Sequence, residues 1–147
     1  MIKGRDKTWV HHRQRQSVIE YVLILPLMVL FVAGIYDLGR VFYSFITITN
    51  AAREGARYGT LNPKLTQGIC NAAVYEAQSS GISLNYNNIA ITCDTTVTCL
   101  YSSTPAIICK ENQPITVIVR YNFNKMLFRS FFPTGINIER DAEMLVP

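Results

Sequence analysis

The hydrophobic pattern of the chain changes character twice. From Tyr21 to Tyr36 the residues are apolar or small on every side, with no charge, and Glu20 and Asp37 bracket the run. From Leu38 to Tyr58 the apolar positions recur in steps of three and four. Leu38, Val41, Phe45, Ile48, Ala52 and Ala56 line one helical stripe, with Arg40, Ser44, Thr47, Asn50, Glu54 and Arg57 opposite. Ala51, Gly55 and Gly59 add a row of small residues that permits close helix approach. These segments predict one helix over Ser17–Tyr58, of about 42 residues and about 63 Å. Pro26 removes one of its hydrogen bonds and predicts a kink, and Asn62-Pro63 predicts its end. Beyond that point the pattern shortens. Thr66–Ser80 reads as a second helix stopped by Gly81, with Ile69, Ala72, Ala73, Glu76 and Ala77 on a narrow face. Ile89–Cys93, Ile115–Phe123 and Ile136–Val146 read as strands. In the last, Arg140 breaks an otherwise apolar face, while Asn137, Glu139, Asp141 and Glu143 occupy the other. The expected fold class is α+β: a long N-terminal transmembrane helix extending into a small antiparallel-sheet domain.

Length decides how the apolar run is used. Sixteen uncharged residues, Tyr21–Tyr36, give about 24 Å of helix. Ser17–Tyr36 supplies the ~20 residues a span needs if Glu20 lies near the interface or is neutralised. Two rivals exist, a buried core helix and a cleavable secretory signal with Val32 and Gly34 as small residues before a cut. A chain of 147 residues could hardly surround a helix apolar on all sides. The helical pattern continuing through Ala33–Asp37, and Glu20 inside the stretch, weigh against the signal. Charge then sets direction. Met1–Ser17 holds Lys3, Arg5, Lys7, Arg13 and Arg15 against Asp6 alone, and the rest of the chain has equal numbers of basic and acidic residues. The net charge of +4 is thus a property of the tail, which points to a membrane surface and not to nucleic acid. By the positive-inside bias the amino terminus stays in the cytoplasm and the remainder lies outside. The expected division is a cytoplasmic basic tail over 1–17, a transmembrane segment over 18–36, an extended amphipathic helix over 37–60 and an extracytoplasmic α+β domain over 61–147.

The first part of the chain carries a family resemblance. Arg15-Gln16-Ser17-Val18-Ile19-Glu20-Tyr21, Leu25-Pro26-Leu27, Asp37-Leu38-Gly39-Arg40 and Asn50-Ala51-Ala52-Arg53-Glu54-Gly55-Ala56-Arg57-Tyr58 resemble the TadE-like family. Its members are pseudopilin-like components of the Tad, or Flp, pilus assembly machinery. The resemblance is dense over about the first 60 residues and loose over the last 35, and it implies a pilin-like arrangement. It also implies a processing motif, in which a membrane peptidase cuts five positions before the Glu. Here Arg15 and Gln16 flank that point, followed by Glu20 and Tyr21. Arg15 stands where the family motif has Gly, so inefficient or absent cutting is expected. Gly offers the peptidase no side chain and wider backbone freedom. Glu20 is costly within an apolar zone unless paired. The family scheme pairs it with an α-ammonium, and an uncut Arg15 could take that place; alternatively Glu20 snorkels to water. The implied partners are the lipid bilayer, other pilin-like subunits, the Tad assembly platform and a prepilin peptidase. The implied location is the cytoplasmic (inner) membrane, single-pass.

Candidate chemistry is sparse. Cys70, Cys93, Cys99 and Cys109 all follow the span. In an exported domain this small they predict two disulfides, with three connectivities open. A zinc site is the weaker alternative, because no CxxC pair occurs, and free thiols fit a compartment that is not oxidising. The only histidines, His11 and His12, lie in the tail, so Ser-His or Cys-His catalysis in the outer domain is not expected. Glu139, Asp141 and Glu143 read as a solvated strand face. No Gly-rich phosphate loop occurs. The expectation is a non-enzymatic protein without metal or cofactor. The connection Asn124–Gly135 holds Met126, Leu127, Phe128, Phe131 and Phe132, with Lys125 and Arg129 among them. It folds back on the core, or it is a docking loop with Phe128, Phe131 and Phe132 as its contacts. Two functions compete: a membrane-anchored pseudopilin-like component of Tad/Flp pilus assembly or secretion, and a single-pass anchored domain that binds an extracytoplasmic ligand or surface. The patterned helix beyond the bilayer favours the first.

Overall fold

The computed structural model describes residues 8–101, 104–105, 109–124, 127 and 135–147, with side-chain surroundings from Ile19 onward. Helix α1 runs over Thr8–Leu61 with Pro26 inside it, and α2 over Thr66–Ser79. A short 3-10 turn over Tyr86–Asn88 leads into β1, Ile89–Thr92. Strands β2 (Thr96–Thr98), β3 (Pro114–Phe123) and β4 (Ile136–Leu145) follow. The chain divides into two compact units, Met1–Leu38 and Gly39–Pro147. The first is helical throughout its described residues, and from Ile19 to Tyr36 its large apolar side chains are exposed. Helix α1 ends where Asn62 donates its backbone N–H to the Tyr58 carbonyl, at 2.9 Å, just before Pro63.

The second unit is an α+β layer. Its four strands form one antiparallel sheet in the order β2-β1-β3-β4. The β3–β4 ladder runs from Pro114 opposite Leu145 to Phe123 opposite Ile136. Alternation in β3 holds as expected, with Ile115, Val117, Val119 and Phe123 buried and Arg120 and Asn122 exposed. These four meet Ile48, Ala52 and Ala56 of α1, and Ile69 and Ala73 of α2, in a single core. Gly81 has φ +77°, which stops α2 at the expected place. Strand β2 escaped the sequence reading because Thr-Val-Thr is too short to show a period. It exists by pairing Val97 with Ile91.

The buried face of α1 differs from the expected stripe. Ser44, Thr47, Ile48, Ala51, Ala52, Gly55, Ala56 and Gly59 are buried. Leu38 and Phe45, read as part of the apolar stripe, are exposed, and Ser44 and Thr47, assigned to the polar side, are each only 4% exposed. The reason is phase. Gly55 lies on the face that meets α2 and β3, and at 3.6 residues per turn Ser44 and Ile48 lie within about 20° of it, whereas Phe45 and Leu38 lie about 80–100° round the helix. Ser44 tolerates burial because its hydroxyl donates to the Arg40 carbonyl at 3.1 Å.

Candidate functional site

The features that could serve a function lie mainly on the surface of α1. Among the described residues it contains the one helix long and apolar enough to cross a membrane. The segment Ile19–Tyr36 presents Val22, Leu23, Leu25, Met28, Phe31 and Val32 to its surroundings. That exposure disposes of the buried-core alternative. Glu20 and Tyr21 lie exposed at the start of this segment. Arg15 and Gln16 belong to α1 by backbone, but their side chains lie outside the described surroundings. Past Leu38 the outward face carries Phe42, Tyr43 and Ile46, all exposed. Phe42 and Ile46 follow Leu38 at i, i+4 steps, and the Tyr43 hydroxyl donates to the Ser80 carbonyl at 2.8 Å.

The other helix positions proposed for packing fall inside the second unit. Ile48, Ala51, Ala52 and Ala56 are fully buried, and Val41 packs at the edge of the core. A Cβ at Gly55 would lie 3.2 Å from both Ala73 Cβ and Val117 Cγ1, and one at Gly59 would strike the end of the Ile115 side chain. The small-residue row therefore admits α2 and β3 of this same chain.

Two arginine–aromatic contacts sit beside that seam. The Arg140 guanidinium lies 4.5 Å from the centroid of the Phe45 ring, and that of Arg40 lies 5.4 Å from Phe123. Both distances suit cation–π attraction. They explain why a cation interrupts the inner face of β4 and why Phe45, though exposed, is not without a contact.

The disulfides resolve the open connectivity. Cys70 in α2 joins Cys99 beyond β2, and Cys93 joins Cys109, with Cα separations of 6.0 and 5.6 Å. They tie α2 and the loop before β3 to the β1–β2 edge. The docking-loop candidates Phe128, Phe131 and Phe132 lie outside the described residues.

Two exposed ion pairs are seen among the described residues. Arg57 hydrogen-bonds Glu54 through two nitrogens, at 2.7 and 2.9 Å, and Arg120 does the same to Glu139 across the β3–β4 ladder, at 3.1 and 3.2 Å. These hydrogen bonds, reinforced by the guanidinium charge, hold both carboxyls below the ordinary glutamate range. A carboxyl pKa lowered by folding adds stability above the unfolded value of about 4.3. That stability is lost as the pH falls through the lowered midpoint. Because both pairs are solvent-exposed, the contribution is small. Carboxyl NMR titration should give both residues midpoints below an unpaired glutamate such as a model peptide's. Midpoints at the ordinary value would mean the pairs do not persist in solution.

An exposed apolar helix of spanning length, joined in sequence to a disulfide-bridged α+β unit, defines a protein with one candidate membrane span. The model of the TadE-like protein family matches residues 16–57, all of them on α1. Over these residues the chain is similar to that family, in agreement with the motifs from Gln16 to Arg57. Neither the curated proteins nor the solved structures yield a match.

Proposed function

We propose that the protein is a membrane-anchored, pseudopilin-like structural component of Tad/Flp pilus assembly or secretion. The observation that carries this reading is that the TadE-like match coincides with α1, including its exposed apolar segment. In this reading the segment over 18–36 crosses the cytoplasmic (inner) membrane with the basic tail in the cytoplasm. The second unit is extracytoplasmic, where its disulfides persist. Phe42, Tyr43 and Ile46 continue the apolar surface past the span and offer a contact to pilin-like subunits or the assembly platform. The part played is structural, not catalytic.

Three measurements test it. Photo-crosslinking from Phe42 in cells that carry the pilus machinery should capture other Tad components, whereas capture of lipid alone would leave a simple anchor. Glu20→Gln, which keeps size and removes charge, should preserve insertion and reduce co-purification with those components. Unchanged co-purification would assign Glu20 to the interface as a snorkelling carboxylate. Mass spectrometry of the membrane-associated form should find the apolar helix retained, with cutting between Arg15 and Gln16 inefficient or absent. An amino terminus just after Gly34 would make the chain a secreted domain and sink the anchor.

A further inference from the structure

Helix α2 spends Ile69, Ala73 and Ala77 on the core, so its outer side is free for other work. Along that side runs a groove of about 590 Å³, bounded by Glu54 and Tyr58 of α1, Tyr75 and Glu76 of α2, and Tyr86. Two of the rings, Tyr58 and Tyr86, are held in place. Tyr58 lies against Gly68, where an added Cβ would come within 2.6 Å of the ring. Tyr86 meets Tyr101 edge-on with centroids 5.4 Å apart. Tyr75 is 75% exposed, and no core contact accounts for so large a side chain there. The charged residues lining the groove are both acidic. Arg57 holds the Glu54 carboxylate, whereas the Glu76 carboxylate has no hydrogen-bonded or ionic partner among the described residues.

We propose that this groove binds a Lys- or Arg-bearing segment of a partner polypeptide. Tyrosine faces carry negative quadrupole charge and attract cations, and Glu76 supplies a full charge beside them. The preference is local. From Asp37 onward the sequence has nine basic and eight acidic residues, so bulk charge would not draw a cationic ligand. The groove is larger than one side chain needs, and the Asn71 and Gln78 amides that also line it can donate to and accept from a peptide backbone. The inference stands on the groove alone and does not rest on the pilus reading.

The test uses the full chain in phosphatidylcholine nanodiscs, with fluorescein-labelled tetraarginine as the probe and tetraglutamine as the neutral control. Fluorescence anisotropy should show saturable binding of tetraarginine only, weakening as salt rises. Tyr75→Ala should weaken it about fivefold, Tyr75→Phe, which keeps the ring, should retain it, and Glu76→Gln should weaken it and flatten the salt dependence. Both positions are on the surface, and unchanged circular dichroism with both disulfides intact will confirm folding. Equal binding of tetraglutamine, or tetraarginine binding indifferent to Tyr75→Ala, overturns the proposal. The absence of tetraarginine binding also overturns it, and loss of self-association in Tyr75→Ala would then make the groove a contact between copies.

Discussion

Replacing Cys70 and Cys99 together by alanine is expected to destabilise the second unit by about 3–5 kcal/mol. The bridge spans 29 residues, for which loss of unfolded-chain entropy is worth about 3.5 kcal/mol. Both sulfurs are buried in the core, so the replacement also leaves unfilled space, which adds to the loss. The Cys93–Cys109 bridge closes a shorter loop, with a separation of 16, and Cys93 is only partly buried. Its removal should therefore cost less, about 2–3 kcal/mol. A small domain has a total stability of about 5–15 kcal/mol, so losing both bridges should leave the unit largely unfolded. Amide hydrogen exchange of β3 in the full chain in detergent micelles reads this directly, because β3 sits between β1 and β4. Unchanged protection in the Cys70→Ala, Cys99→Ala variant would mean that the core and not the bridge holds α2. A larger loss from the other pair would invert the ranking argued from loop length and burial.

What the sequence made legible follows from how far each signal reaches. The apolar run, the end of α1 at Asn62-Pro63, the stop at Gly81 and the alternation of β3 and β4 are local, and a period or a turn residue is enough to see them. The disulfide pairing is not local: Cys70 reaches Cys99 only once α2 lies beside the β1–β2 edge. The phase of α1 failed for a different reason. Periodicity rewards large apolar residues, and so places Leu38 and Phe45 on the apolar stripe and Ser44 and Thr47 opposite, whereas the structure buries Ser44 and Thr47 and leaves Leu38 and Phe45 exposed. Position around the helix relative to Gly55 outweighs polarity there. Arg140 is the same lesson from the other side, since its place on the inner face made sense only when Phe45 was found beneath it. The tyrosine groove had no sequence signal at all, because Tyr58, Tyr75 and Tyr86 come from three elements with no common period.

The seam itself supplies the second large effect. Gly55→Val is expected to cost about 2–3 kcal/mol through overpacking. An added Cβ at Gly55 lies 3.2 Å from Ala73 Cβ and 3.2 Å from Val117 Cγ1, with the Ile69 carbonyl oxygen at 3.5 Å. Ala73 has no rotamer to yield with, and Val117 lies in a strand paired on both sides, so two further methyl groups must push α1 away. Gly59 provides the contrast. Its added Cβ would strike only the far ends of Ile115 and Ile69, which can swing aside. The gain in helix propensity from Gly to Ala is about 1 kcal/mol, so Gly59→Ala should fall within about 1 kcal/mol of the parent. Thermal unfolding of the two variants in micelles, followed by circular dichroism, separates them. If Gly55→Val melts with the parent, the helix does not approach the sheet as closely as the glycine requires. If Gly59→Ala is the worse of the two, the Ile115 side chain is locked by its neighbours and the tightest point of the seam lies one turn further along α1.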